Sequence, residues 1–172
     1  MEVKEYLGME LNNLRNGLMR YLDGLNHQEI LWRPAYGCAS IGLILLHMSM
    51  FEDLWVQTCI QGKPEIWHTD KWYKILNIDE DVAVDYYTPE QISNFTVPDA
   101  KDLVEYFDRI RTNSIEYLKE LPPEELNRKV IVDQREEPIN NVFGIVAQHM
   151  AQHMGAITYL RGMQRSMKIG HG

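Results

Sequence analysis

Leu7, Leu11, Leu14, Leu18, Tyr21, Leu22 and Leu25 recur at intervals of mostly three and four residues, the spacing that gathers side chains on one face of a helix. This rhythm predicts a first helix over about residues 3 to 24, with Gly24 as its C-terminal signal. Asn26, followed by Glu29, reads as a capping box that opens a single turn, stopped at Arg33-Pro34. Ser40 is a good N-cap for a second long helix, which Gly62 and Pro64 end at about Gln61. Asp99, after Pro98, caps a third, whose buried row is Leu103, Phe107, Ile110, Ser114, Tyr117, Leu118 and Leu121 until Pro122-Pro123 terminates it. Arg109 and Arg111 fall off that row and read as solvated or paired with nearby carboxylates. The last long helix runs from Asn140 or Asn141 to Gly162, with a frayed tail through His171.

Two stretches lack this period. Residues 62 to 98 scatter Trp67, Trp72, Tyr73, Tyr86, Tyr87 and Phe95 among Pro, Asp and Asn, with one short helix expected in the segment from Thr69 to Leu76. The aromatic side chains either anchor this crossover to the helices or roof a pocket. Residues 124 to 139 are expected to connect helices with at most one extended piece, because Val130-Ile-Val is too short to argue for a sheet. Four long helices without a sheet predict an all-α four-helix bundle in one domain, residues 1–172, and the link between the second and third is long enough for a crossover along the full bundle.

Composition narrows the choice of function. A chain of 172 residues buries about 70% of its unfolded surface, enough for a substantial core. Its 17 basic and 25 acidic residues leave a net charge of -8, which repels phosphate backbones and anionic bilayers, so neither a nucleic acid nor a membrane is expected as partner. No basic and apolar leader opens the chain and no long apolar run interrupts it, as expected of a soluble cytoplasmic protein. Cys38 and Cys59 form no Cys-x-x-Cys unit and read as reduced thiols. Cys59 is either a small buried hydrophobe or a neighbour of the pocket described next.

The chemistry lies in the histidines. His149 and His153, four residues apart on the last helix, share a face, and the row Val142, Ile145, Val146, His149, His153, Ala156 and Leu160 points them inward. His47 occupies a second such row with Ile44, Met48, Phe51 and Trp55. A lone histidine on an apolar face is usually a satisfied core residue, but three would each need partners for one donor and one acceptor. Convergence on one cation meets that need and leaves open positions, the arrangement of a catalytic metal centre. Met150 stands where a zincin carries its glutamate base, so that motif is excluded. Glu52 is either an outer acceptor for a ligand or, five residues from His47, a solvent-exposed carboxylate.

The runs Ser40-Ile-Gly-Leu-Ile-Leu-Leu-His47-Met-Ser-Met-Phe-Glu52-Asp-Leu-Trp55 and Val142-Phe-Gly-Ile-Val-Ala-Gln-His149-Met-Ala-Gln-His153-Met-Gly-Ala-Ile-Thr-Tyr-Leu-Arg161-Gly, together with the segment Tyr106 to Ile110, resemble those of the DinB/YfiT superfamily of bacterial four-helix proteins. Met154 departs from the polar or basic residue many relatives carry there. The resemblance implies an up-down-down-up bundle, commonly a homodimer, holding a divalent metal, often zinc or nickel, on His47, His149 and His153. It also implies enzymes that use a low-molecular-weight thiol, such as bacillithiol, mycothiol or glutathione, or metal-dependent hydrolases. The leading expectation is therefore transfer of such a thiol to a small electrophile, with Trp55 shaping the small-molecule substrate site. The alternatives are hydrolysis of a small ester or amide, or a non-catalytic bundle that binds a metal or an apolar ligand.

Overall fold

Burial of the leucine row folds Val3–Leu22 into helix α1, in which Leu11 and Leu18 are fully enclosed. In this computed structural model, which describes residues 2–82 and 87–165, the chain leaves α1 through Gly24 at φ 70°, a left-handed conformation that costs glycine little. Tyr86 and the tail through His171 lie outside the described residues. The Asn26 side chain accepts from the Glu29 N–H at 3.1 Å and opens α2, His27–Leu31. Ser40 Oγ accepts from the Leu43 N–H at 3.2 Å and opens α3, Ile41–Asp53. The rod then continues to Ile60 as a π-helix, Leu54–Ile60, where the sequence predicted an unbroken α-helix.

Among the described residues the crossover carries three short helices, α4 (Ile66–Thr69), α5 (Trp72–Ile75) and α6 (Pro89–Asn94). Its described indoles anchor it to the bundle: Trp67 and Trp72 are buried and pack on Tyr106 with ring centroids 5.6 and 5.2 Å apart. Asp53, at the end of α3, pins the start of α4 by accepting from the Ile66 and Trp67 N–H groups at 2.9 and 2.8 Å and from the Tyr106 hydroxyl at 3.1 Å. Gly42 lets the crossover close on α3, since a Cβ there would overlap the Val97 side chain.

Helix α7, Ala100–Glu120, begins at Asp99 without a capping bond from its side chain. A 3-10 turn, Pro123–Asn127, leads into two strands, β1 (Lys129–Val132) and β2 (Arg135–Pro138). This antiparallel pair corrects the expectation of a connection with at most one extended piece. Lys129 faces Pro138 and Val132 faces Arg135, and Asp133 and Gln134 turn the hairpin at φ 48° and 62°. Val130 and Val132 face the core while Ile131 faces out. The last helix, α8, runs Ile139–Arg165.

Contacts between helices establish their directions. Arg161 near the end of α8 donates to the carbonyls of Tyr21 and Asp23 at the end of α1, so these two rods are parallel. Along α3 and α7, Tyr106 meets Asp53 and, further on, Asn113 meets Gln57, so this pair is parallel as well. Lys4 of α1 reaches the Lys119 and Leu121 carbonyls at 2.5 and 2.8 Å, which sets α7 antiparallel to α1. The result is an all-α, up-down-down-up four-helix bundle with its crossover between the second and third long helices and a two-stranded hairpin appended.

Two charged residues lie deeper in the bundle than the outer face assigned to them from the sequence. Arg111 lies inside the bundle, with its side chain 1% exposed, and donates from Nε and Nη2 to Glu52, itself 3% exposed, at 3.0 and 2.6 Å. Arg111 also donates to the Leu11 carbonyl and contacts Met150 Sδ at 3.0 Å. Glu52 is therefore no solvent-exposed carboxylate. Arg109 keeps to the outside and pairs with Asp70 at 2.8 Å.

Candidate metal centre

The innermost row of α8 is Val142, Phe143, Val146, Met150, Met154, Ile157 and Leu160, all buried. Ile145, His149, His153 and Ala156, assigned inward from the sequence, form the half-buried row beside it. On α3 likewise, Met48 and Glu52 are enclosed whereas His47 and Phe51 are half-buried. The three histidines thus meet at the seam between α3 and α8 and not in the centre of the core. Seam placement suits a ligand that must come and go, because all three histidines are only partly buried.

The antiparallel course of α3 against α8 brings residues 102 positions apart in sequence together: His47 Nε2 and His149 Nε2 are 3.0 Å apart. His149 Nε2 and His153 Nε2 are 3.1 Å apart, and a ligating atom from each of the three rings lies within 4.8 Å of the others. Two nitrogens each ~2.0–2.1 Å from one tetrahedral zinc would be separated by about 3.3 Å, close to the spacings of His149 from His47 and from His153. Neutral imidazole nitrogens are also the right donors for a first-row divalent cation. The site fits a metal ion, with three protein ligands.

Aromatic rings wall one side. Phe51, one turn beyond His47, stacks on His149 with centroids 3.7 Å apart and planes 14° from parallel. Trp55, in the π-helical segment, stacks on Phe51 at 4.4 Å and 27°. Trp55 is half-buried and is linked to the histidines through Phe51. Sequence reasoning placed Phe51 on the correct face but gave it no role, although its spacing four residues from His47 was the available signal.

Burial pushes His149 from an ordinary value of 6.5 down to about 3, helped by repulsion from His153 and then His47. The ring therefore stays neutral, as a ligand must, far into the acid range. Cys59, like Phe51 and Trp55, packs against the apolar cluster that includes Val56, Ile60 and Phe143, and burial raises its thiol, with Glu65 adding to the effect. It has the environment of a small hydrophobe and not that of an activated thiolate. Glu52 stays bound to Arg111, and Asp53 to the start of α4; burial raises Asp53 to about 6 against the pull of its three hydrogen bonds.

Comparison with known proteins agrees with this picture. Among curated proteins none matches the sequence. A conserved protein from Enterococcus faecalis shares the fold with a TM-score of 0.81 at 17% identity, over 95% of this chain and 97% of the other. YfiT from Bacillus subtilis, described as a probable metal-dependent hydrolase with an unusual four-helix bundle topology, aligns with a TM-score of 0.64 at 12% identity, over 96% and 89% of the two chains. Residues 10–157 match the family model of the DinB superfamily, and on that match, over most of its length, this chain belongs to the DinB superfamily.

Proposed function

We propose that this protein is a metal-dependent enzyme that holds one divalent cation, zinc or nickel, on His47, His149 and His153 and transfers a low-molecular-weight thiol to a small electrophile. The observation that carries the reading is the meeting of three ring nitrogens from two helices at a half-buried seam. A divalent ion in such a site acts as a Lewis acid, lowering the pKa of a thiol or of water toward neutrality.

The chain's own residues supply the rest. His47 comes from α3 and the other two rings from α8, so packing of those helices assembles the ligand set before any ligand arrives. Phe51 and Trp55 form an apolar wall, and Trp55 is the residue proposed to touch the substrate. The nearby acids Glu52 and Asp53 are both engaged by structural partners, Arg111 and the start of α4. A thiol, at about 8.5, ionises far more readily than water at about 15.7, which favours a thiol as the nucleophile.

Hydrolysis of a small ester or amide is the second reading, favoured by the description of YfiT. The two separate in one assay: protein purified without an affinity tag is assayed on a panel of small electrophiles and esters with and without added thiol. Saturable dependence on thiol supports transfer, and steady turnover in its absence supports hydrolysis. Bound metal with no turnover in either arm supports the non-catalytic bundle. The family resemblance further supports a cytoplasmic homodimer acting on small molecules, which analytical ultracentrifugation tests through the mass of the species in solution.

A further inference from the structure

We infer that Phe51 is a positioning residue for the metal centre, holding the plane of His149 and favouring that ring when it carries a cation. The inference rests on the metal reading above and adds to it a residue that ligates nothing.

A histidine side chain on a helix has two torsions, and its ring can sweep unless something stops it. His149 is stopped on one face by the Phe51 ring, nearly parallel to it at 3.7 Å between centroids. His47 and His153 meet the same imidazole on its Nε2 edge, at 3.0 and 3.1 Å. Face and edge are thus set by different residues. Phe51 in turn is backed by Trp55 at 4.4 Å, so the stack His149–Phe51–Trp55 is a continuous layer resting on the π-helical segment. Since Phe51 is one helical turn from His47, the helix that delivers one ligand also orients another.

The stack has an electrostatic side as well. A phenyl ring presents a negative face, and a neutral imidazole lying parallel to it gains little from that charge distribution. Once its nitrogen donates to a cation the imidazole becomes electron-poor, and the attraction to the phenyl face grows, as in a cation–π contact. Phe51 therefore interacts more strongly with the metal-loaded ring than with the empty one, and that difference appears as affinity. Leucine can fill much of the same space without supplying a π face.

The test measures metal affinity and the absorption spectrum of the cobalt(II)-substituted protein, neither of which needs turnover. Phe51→Leu is expected to weaken cobalt and zinc binding by about 10-fold, in the range typical of residues that orient metal ligands, and to alter the cobalt d–d bands. Phe51→Tyr, which keeps the ring, is expected to stay within a factor of about two of the parent. Should the leucine variant fail to fold, fluorinated phenylalanines at position 51 preserve shape while progressively removing the negative face. Affinity is then expected to fall stepwise with fluorine count. Unchanged affinity and spectrum in Phe51→Leu, or in the fluorinated series, overturn the inference. A parent protein that binds no cobalt or zinc overturns the metal reading instead, and a parent that binds while Phe51→Leu or the fluorinated series binds equally well overturns this inference alone.

Discussion

Replacing Arg111 by Met tests the account of the bundle interior most directly. The guanidinium is 1% exposed and gives two bonds to a carboxylate that is 3% exposed, at 3.0 and 2.6 Å. Removing it leaves Glu52 buried with no countercharge, a loss of about 3–5 kcal/mol for a pair of this kind. For a chain of this size, each kcal/mol shifts the melting temperature by about 2–4 °C, so Arg111→Met should melt roughly 6–20 °C lower. Most of that loss is the cost of the abandoned charge and not the net worth of the pair. The double variant Glu52→Leu/Arg111→Met should therefore be more stable than Arg111→Met alone, and urea denaturation of all four chains completes the double-mutant cycle. A single variant within about 1 kcal/mol of the parent, or a double variant no better than the single, would refute the reasoning.

Other expectations concern the site and its supports. His149→Ala and His153→Ala should each lower the metal content measured by elemental analysis, and stoichiometric metal in the double variant would contradict the ligand assignment. In metal-free protein, His149 is neutral when folded down to about 3 but protonates near 6.5 when unfolded, so its contribution is present above 6.5 and is lost as pH falls toward 3. The urea midpoint should then drop less steeply with acid in His149→Gln than in the parent, and equal slopes would show that burial does not depress this ring. Asp53→Asn turns an amide N–H2 toward one of the two N–H groups now bound by the carboxylate, costing about 1–3 kcal/mol for an unsatisfied buried donor. Hydrogen exchange at the Ile66 and Trp67 amides should accelerate, and unchanged protection there would show that Asp53 does not hold α4.

Much of this fold could be read from the chain because its signals are local. Leucine spacing marked α1, Asn26 with Glu29 and Ser40 marked helix starts, and both cap geometries are present in the structure. The hairpin escaped because β1 offers only the short apolar run Val130-Ile-Val, β2, Arg135–Pro138, is polar, and the turn uses Asp133-Gln134 in place of a glycine pair. Arg111 and Glu52 escaped for another reason. Each stands on an inner row, Arg111 with Phe107, Ser114 and Leu118 and Glu52 with Leu45 and Met48, but a row drawn through apolar residues, or through His47, leaves both outside. Opposite charges on the inner rows of two helices were themselves the signal of a buried pair.

Periodicity and capping are properties of neighbours in the chain, and they determine which residues are helical and, to within one position, which side of each rod is apolar. That one position decides the site: it moves the histidines from the core axis to the seam, and only packing of α3 against α8 reveals it. The same packing selects which of the parallel and antiparallel arrangements is adopted and so brings His47 beside residues 102 and 106 positions later. It also lays Phe51 over His149, because burial energy is shared among rods whose relative register no single rod encodes.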